Sequence, residues 1–421
     1  MLNSKGEREL AYIVLIDEIM PIEGYDRVEL ARVGGWHVIV QKGQFKVGDP
    51  AIYFEVDSKV PSDRECFAFL AKRKYKIKTI KMCGVISQGL LMHAEDFGWK
   101  NAIDADGHPL IYDANDNSRF WYADGEDRFL TKELGVTHIE DEENKPAPRV
   151  DKYKAMAQRR PDIFKQKWAR WLMRREWGRK LMFALFGRKK KKSETAFPTK
   201  FPFVKKTDQE RCENMPWVLN DKTPYIVTQK CDGSSATYIL ARTHNPFKLY
   251  EFYVCSRNVR MLEENQKCFY DENVYWEMAK KYDIENKMKN FLNTKYAKEH
   301  KLTYVCWQGE ICGPNIQKNP HHLKENHLFC FHMIDSVHGK FDMRDAERVW
   351  ISYGMEIVPI VDVNYRMPDD FEEFKQSADG FYSTQVTEGN KECPREGYVY
   401  YKTTDPNFSF KNVSREYLLK H

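Results

Sequence analysis

Three features are missing from this chain, and each absence removes a class of protein. No apolar run approaches the roughly 20 residues that a helix needs to cross a bilayer. The ten cysteines are scattered, mostly inside apolar runs, with no Cys-x-x-Cys pair to suggest a zinc ribbon or a dithiol redox motif. Cys306 and Cys312 read as buried strand residues. His321-His322 is adjacent rather than at ligand spacing and reads as a loop pair, so no structural metal is predicted. The opening Met1-Leu2-Asn3-Ser4-Lys5-Gly6-Glu7 also lacks the blocks of a signal peptide. The expectation is a soluble, cytoplasmic protein with no membrane span.

What the chain does contain is ample hydrophobic and aromatic content, 42% and 14%, spread over 421 residues, which favours two domains over one core. The first hundred residues are strand-rich. Glu9 to Ile16, Arg27 to Val33, Trp36 to Lys42, Pro50 to Val56 and Lys76 to Met82 are short β-prone runs separated by Glu23-Gly24, Gly34-Gly35 and Gly48-Asp49. Regular short strands of this kind predict a small barrel, with an OB-fold as the leading candidate. Residues 101–124 are polar and aromatic and read as a loop insertion, and Glu140 to Pro146 reads as a linker.

Charge is distributed unevenly. Residues 151–192 hold 16 Lys or Arg against three acidic residues, so this segment stands at +13 and, with the whole chain at +5, the remainder at −8. Phe164, Trp168, Trp171 and Leu172 recur at helical spacing, and Met182, Phe183 and Phe186 continue that face beyond Gly178. Three readings stand side by side: a solvated face with its aromatics docked, an RNA-binding helix, and, less favoured, a membrane-surface or partner helix. Arg188 to Lys192 also has the composition of a nuclear localisation patch.

Chemistry concentrates at Thr228-Gln229-Lys230-Cys231-Asp232-Gly233-Ser234-Ser235. Apolar runs on either side, Tyr225 to Val227 and Ala236 to Leu240, predict two strands with Lys230 at the end of the first and Gly233 in a tight turn. Lysine attack on phosphorus needs a neutral amine, and an unperturbed pKa of about 10.4 leaves almost none at neutral pH. Burial, a divalent metal and neighbouring cations would favour it. Alone, Lys-x-Asp-Gly reads better as a surface turn.

The stretch resembles motif I of the covalent nucleotidyltransferases, the superfamily of ATP-dependent RNA and DNA ligases and mRNA capping enzymes. Five further stretches follow in the family's order: Ser256-Arg257-Asn258 (motif Ia), Trp307 to Pro314 (III), Leu328-Phe329-Cys330-Phe331 (IIIa), Glu396-Gly397-Tyr398-Val399-Tyr400 (IV) and Ser409-Phe410-Lys411 (V). Asp17-Glu18-Ile19, Ile22-Glu23-Gly24, Tyr53 to Ser58 and Ile86 to Leu91 resemble the N-terminal OB domain of the fifth family of ATP-dependent RNA ligases. Lys206 to Arg211 is similar to that family's entry segment before motif I. DNA ligases and capping enzymes usually carry their OB domain after the nucleotidyltransferase domain, and about ten residues follow motif V here.

The resemblance implies an α+β protein: an OB-fold domain over 1–140, a linker and basic helical segment over 141–196, and an adenylyltransferase domain with antiparallel sheets over 197–421. It implies that Lys230 attacks the α-phosphorus of ATP to form a lysyl-adenylate, and that AMP then passes to an RNA 5′-phosphate. A 3′-hydroxyl finally displaces AMP, in a nicked duplex. Asp232, Glu310 and Glu396 hold Mg²⁺ or Mn²⁺ directly or through water. Arg257 contacts ribose or phosphates, Glu310 also bonds the ribose, Phe331 stacks on adenine, and Gln229 reads the adenine edge. Lys411 neutralises the α-phosphate, whereas Ser409 stands where many members have another lysine, leaving Lys402 or Arg415 to supply that charge. A monomer is expected. The alternatives are a DNA ligase or capping guanylyltransferase, or an RNA-binding protein with a degenerate nucleotide pocket.

Overall fold

Alternation of inward and outward residues builds the first strands. A computed structural model describes residues 1–139, 163, 166–186, 196–264, 266, 268, 270, 272–388 and 393–420. They form two compact units, Met1–Ile139 with Phe197–His421, and Glu140–Ala196. In the first unit, strands β1 (Ala11–Leu15), β2 (Glu18–Ile22), β3 (Tyr25–Val33), β4 (Trp36–Gln41), β5 (Pro50–Phe54) and β6 (Leu90–Met92) make a β2-β3-β4 meander and a β1-β5-β6 sheet. β5 is buried throughout because both its faces are covered. Ile52 and Phe54 enter one core and Ala51 and Tyr53 another. The expected strand Lys76 to Met82 divides into two short pieces, Lys76–Ile77 and Ile80–Met82.

Residues 101–124 are not a loop. Strands β7 (Trp99–Ile103), β8 (Pro109–Asp113) and β9 (Asp116–Tyr122) form an antiparallel meander. Its inner residues, Trp99 and Ile111, join the core shared with Ile52, and Trp121 lies 4.5 Å from Trp99. Aspartates and asparagines at its turns and a solvated outer face give the stretch its polar composition.

The rest of the unit holds two sheets. Strands β10 (Glu210–Arg211), β11 (Tyr225–Lys230), β12 (Ser234–Arg242), β13 (Tyr250–Ser256), β14 (Tyr304–Cys312), β15 (His327–Asp335), β16 (Ile360–Tyr365), β17 (Gly397–Lys402) and β18 (Ser409–Val413) divide between them. One sheet runs β10-β18-β17-β11-β16, and the other is a seven-stranded sheet with β13-β12-β14-β15 at its centre. Pairing is antiparallel except for β10 with β18 and the short strand Glu356–Ile357 with β15. Helices Val274–Lys281, Ile284–Leu292 and Met343–Ser352 place Met278, Met288, Phe291 and Trp350 in the main core. The first is capped by Asn273, whose side chain accepts from Trp276 N–H. The architecture is α+β. Among the described residues no helix is long and apolar enough to cross a membrane.

The second unit contains helices Lys167–Met173 and Glu176–Phe186. The helical face breaks at Arg174-Arg175, not at Gly178, and Trp168 and Trp171 are exposed, whereas Ala169 and Met182 are buried. Phe164, the side chains of Phe183 and Phe186, the stretch 140–146 and Arg188 to Lys192 lie outside the described residues.

Candidate active site

Motif I bridges the two sheets. β11 of the five-stranded sheet ends at Lys230, and after Cys231-Asp232-Gly233 the chain enters the seven-stranded sheet as β12. Strand register then recruits the other motifs. Lys230 pairs with Gly397, so Glu396 stands beside it, and Val399 pairs with Lys411 on the next strand. On β12, Ser235 pairs with Glu310, which pairs in turn with Phe329, while Ala236 pairs with Ser256, the neighbour of Arg257. Two glycines permit this closeness. A Cβ on Gly233 would lie 2.3 Å from Ile311 O, and one on Gly397, at φ +145°, would lie 2.1 Å from Asn412 O. Gly233 is therefore required by its approach to β14 and not by a special backbone angle.

Lys230 Nζ donates to Glu396 Oε1 at 2.6 Å. Burial pulls its pKa down, but Glu396, Glu310 and Asp232 outweigh burial and hold the amine charged, above the usual lysine range. Burial alone therefore does not neutralise this lysine, because three carboxylates surround the ammonium. Burial, with Glu396 and Asp232 adding to it against the opposing charge of Lys230, pushes Glu310 up to about 8. Glu396 Oε2 is buried without a hydrogen-bond partner. An orphaned oxygen and two further carboxylates around one ammonium fit a divalent cation. Among the described residues, a group of three ligand atoms within 4.8 Å of one another belongs to Asp104, Asp106 and His108 in an exposed turn, not to Asp232, Glu310 and Glu396. Action through bound water suits the wider spacing of the latter three.

The opposite charge gathers a short distance away. Asp208 accepts from Lys411 Nζ at 2.9 Å, Arg257 Nη2 at 3.2 Å and Arg8 Nε at 3.0 Å. Burial lowers Lys411 to about 8 although Asp208 opposes it. Lys402 and Arg415 do not join this group: Lys402 pairs with Asp221 at 2.7 Å, and Arg415 takes both oxygens of Glu372, at 2.6 and 2.9 Å. The cations acting on Lys411 are Arg8, Arg211 and Lys230.

Phe331 is partly open while Phe329 is buried, so of the two it is Phe331 that is available for stacking. Gln229 is buried, its Oε1 accepts from Ser383 N–H at 2.9 Å, and its amide nitrogen faces Phe381 O at 3.5 Å. Its amide anchors the 381–383 loop.

Several supporting residues escaped sequence reasoning. His321 Nε2 accepts from the Asp232 backbone N–H at 3.2 Å, and its ring lies 4.3 Å from Tyr382. Burial lowers it to about 4 and keeps it neutral. Tyr417, in the helix Arg415–Lys420, donates to Asp232 Oδ2 at 2.6 Å, and Tyr382 Oη accepts from Glu396 N–H at 3.1 Å. Asp208 lies in the recognised entry segment, where nothing in its spacing announces three cationic partners.

Comparison with known proteins agrees with this layout. An OB-fold domain model matches residues 10–94, and an RNA ligase model matches residues 223–414. No curated protein sequence matches the chain. Among solved structures, Naegleria gruberi RNA ligase with PPi is 25% identical with a TM-score of 0.67, covering 99% of each chain. An alanine mutant of the same enzyme with ATP and Mn is 25% identical with a TM-score of 0.68, covering 98% of this chain and 99% of that one. Residues 223–414 thus form an RNA ligase domain that follows an OB-fold domain, and the motif residues of the ligase domain converge on Lys230.

Proposed function

We propose that this enzyme seals RNA 3′-OH and 5′-phosphate ends, in nicked duplexes, by way of a lysyl-adenylate on Lys230, with ATP as the nucleotide. The Lys230 ammonium gives up one proton to solvent to become the attacking amine, Nζ forms a bond to the α-phosphorus as the bond from that phosphorus to the pyrophosphate oxygen breaks, and a second proton leaves Nζ to solvent as the phosphoramide forms. AMP then passes to the RNA 5′-phosphate, and the 3′-hydroxyl displaces it. The observation that carries the reading is the amine of Lys230 held 2.6 Å from Glu396, with Asp232 and Glu310 adjacent. The relative solved with ATP and Mn supports the choice of nucleotide and cation.

Asp232, Glu310 and Glu396 are the oxygen donors suited to Mg²⁺ or Mn²⁺, and a bound divalent ion supplies neutralisation of phosphate and carboxylate charge. Glu396 orients the Lys230 amine. Lys411 and Arg257 neutralise the phosphates once they leave Asp208, and Phe331 offers its ring to the adenine. Positioning and charge neutralisation carry most of such a phosphoryl transfer. We take the enzyme to act as a cytoplasmic monomer.

The test is labelling with α-labelled ATP and metal, beside Lys230→Ala. Acid-labile label that stays on the wild-type protein through a denaturing gel, and is absent from the variant, is the expected result. A folded wild type that takes no label overturns the lysyl-adenylate and leaves an RNA-binding protein.

A further inference from the structure

The basic helical unit lies outside both matched domains, between residues 94 and 223, so neither domain accounts for it. Its helices Lys167–Met173 and Glu176–Phe186 pack against each other through Gly178, where a Cβ would lie 2.1 Å from Leu172 O. Ala169 and Met182 are fully buried. The three tryptophans are not enclosed by that packing: Trp168, Trp171 and Trp177 are 51%, 49% and 52% exposed. Tryptophan is ordinarily among the most buried residues on average, so three half-exposed indoles on two short helices are a surface held open.

The surroundings of these indoles are cationic. Arg174 and Arg175 are exposed at the turn between the helices. Arg175 Cζ lies 4.0 Å from the Trp171 ring centroid, and Trp171 and Trp177 meet edge to face at 6.2 Å and 81°. The stacked guanidinium and the crossed rings fix the indoles in place, which lowers the entropy cost of presenting them. The whole segment carries +13 in a chain whose remainder is −8. A partner must therefore be polyanionic and also offer flat apolar faces.

We infer that this helical hairpin binds unpaired RNA, with Trp171 and Trp177 stacking on bases and Arg174 and Arg175 facing phosphates. A phosphate backbone alone would not call for exposed indoles, and a paired base hides its faces inside the duplex, whereas single strands offer both. This surface serves the enzyme proposed above as a second hold on its RNA, so the inference rests on that reading.

The experiment measures binding of a fluorescein-labelled, unstructured single-stranded RNA to the full chain, at several salt concentrations, by anisotropy. Trp171→Ala/Trp177→Ala is expected to weaken binding about tenfold or more, as loss of base stacking does, with the melting temperature unchanged. Arg174→Gln/Arg175→Gln is expected to reduce the slope of log affinity against log salt by about 1.4, the value for two phosphate contacts on a single strand. Both variants should keep wild-type ATP labelling. RNA affinity unaltered in both variants overturns the inference, as does binding to phosphatidylserine vesicles that the variants lose while RNA binding stays intact. Failure of the wild type itself to label speaks against the Lys230 chemistry and leaves the RNA measurement standing.

Discussion

Lys230 and Lys411 are both enclosed lysines, and their neighbours send them in opposite directions. Around Lys230 three carboxylates prevail over burial and keep the amine charged. Around Lys411 burial prevails over Asp208, assisted by Arg8, Arg211 and Lys230, and the result is about 8. The sign of the consequence is definite. Phosphate binds the protonated amine, so below pH 8 Lys411 is already charged and adds no slope of its own to ATP affinity. Above it a proton must be taken up with the nucleotide, and affinity falls by up to about tenfold per pH unit. Lys411→Arg substitutes a group that stays charged, so the alkaline slope is expected to disappear. Calorimetric ATP titrations on either side of pH 8 decide this, and an undiminished slope in the variant assigns the titration to another group.

At the scale of elements, strand ends place the chemistry, and this was the part most legible in the sequence. Apolar runs on either side of Lys230 predict strands, the family motifs single out Arg257, Glu310, Phe331, Glu396 and Lys411, and strands and their ends are what bring these residues together. Register was not legible: no local pattern says that Lys230 faces Gly397 or that Lys411 lies between Val399 and Arg211. The meander over 99–122 was missed because its solvated face dominates its composition. Nor does any local pattern say that the amide of Gln229 is engaged by Ser383, 154 residues downstream.

Lys375 illustrates a support that pattern reading cannot find. It is a charged residue in the short amphipathic helix Phe371–Gln376, and it is fully buried. Its Nζ donates to Glu213 Oε1 at 2.7 Å, Asn412 Oδ1 at 2.8 Å and Val413 O at 3.1 Å, tying β18, which carries Lys411, to the segment after β10. Lys375→Met removes the ion-pair partner of buried Glu213, which keeps only the more distant charge of Arg211, at an expected cost of about 3 to 5 kcal/mol. Adding Glu213→Gln removes that charge and should recover a substantial part of the loss. Denaturant unfolding of both single variants and the double variant measures it, and strictly additive losses would show that the pair is not coupled.

At the scale of the whole molecule, the guanidinium of Arg8 links the OB-fold domain to the nucleotide site. Arg8 donates to Glu55 Oε1 at 2.6 Å on its own side and to Asp208 on the other, while Arg211 returns the contact to Asp57 at 2.7 Å. Asp208 thus divides its charge between Arg8 and the two cations assigned to phosphate, Lys411 and Arg257. Removing Arg8 leaves Asp208 with those two alone, and it should grip them harder against an incoming triphosphate. Arg8→Ala is therefore expected to weaken ATP binding severalfold as well as to lower stability, because Glu55 is buried and loses a partner. A purely structural role would lower stability and leave the nucleotide alone. The two are separated in a cycle with Asp208→Asn: if Arg8 acts through Asp208, its removal should have little further effect on ATP affinity once the carboxylate is gone. Equal weakening by Arg8→Ala in both backgrounds would break this link and return Arg8 to the OB-fold domain.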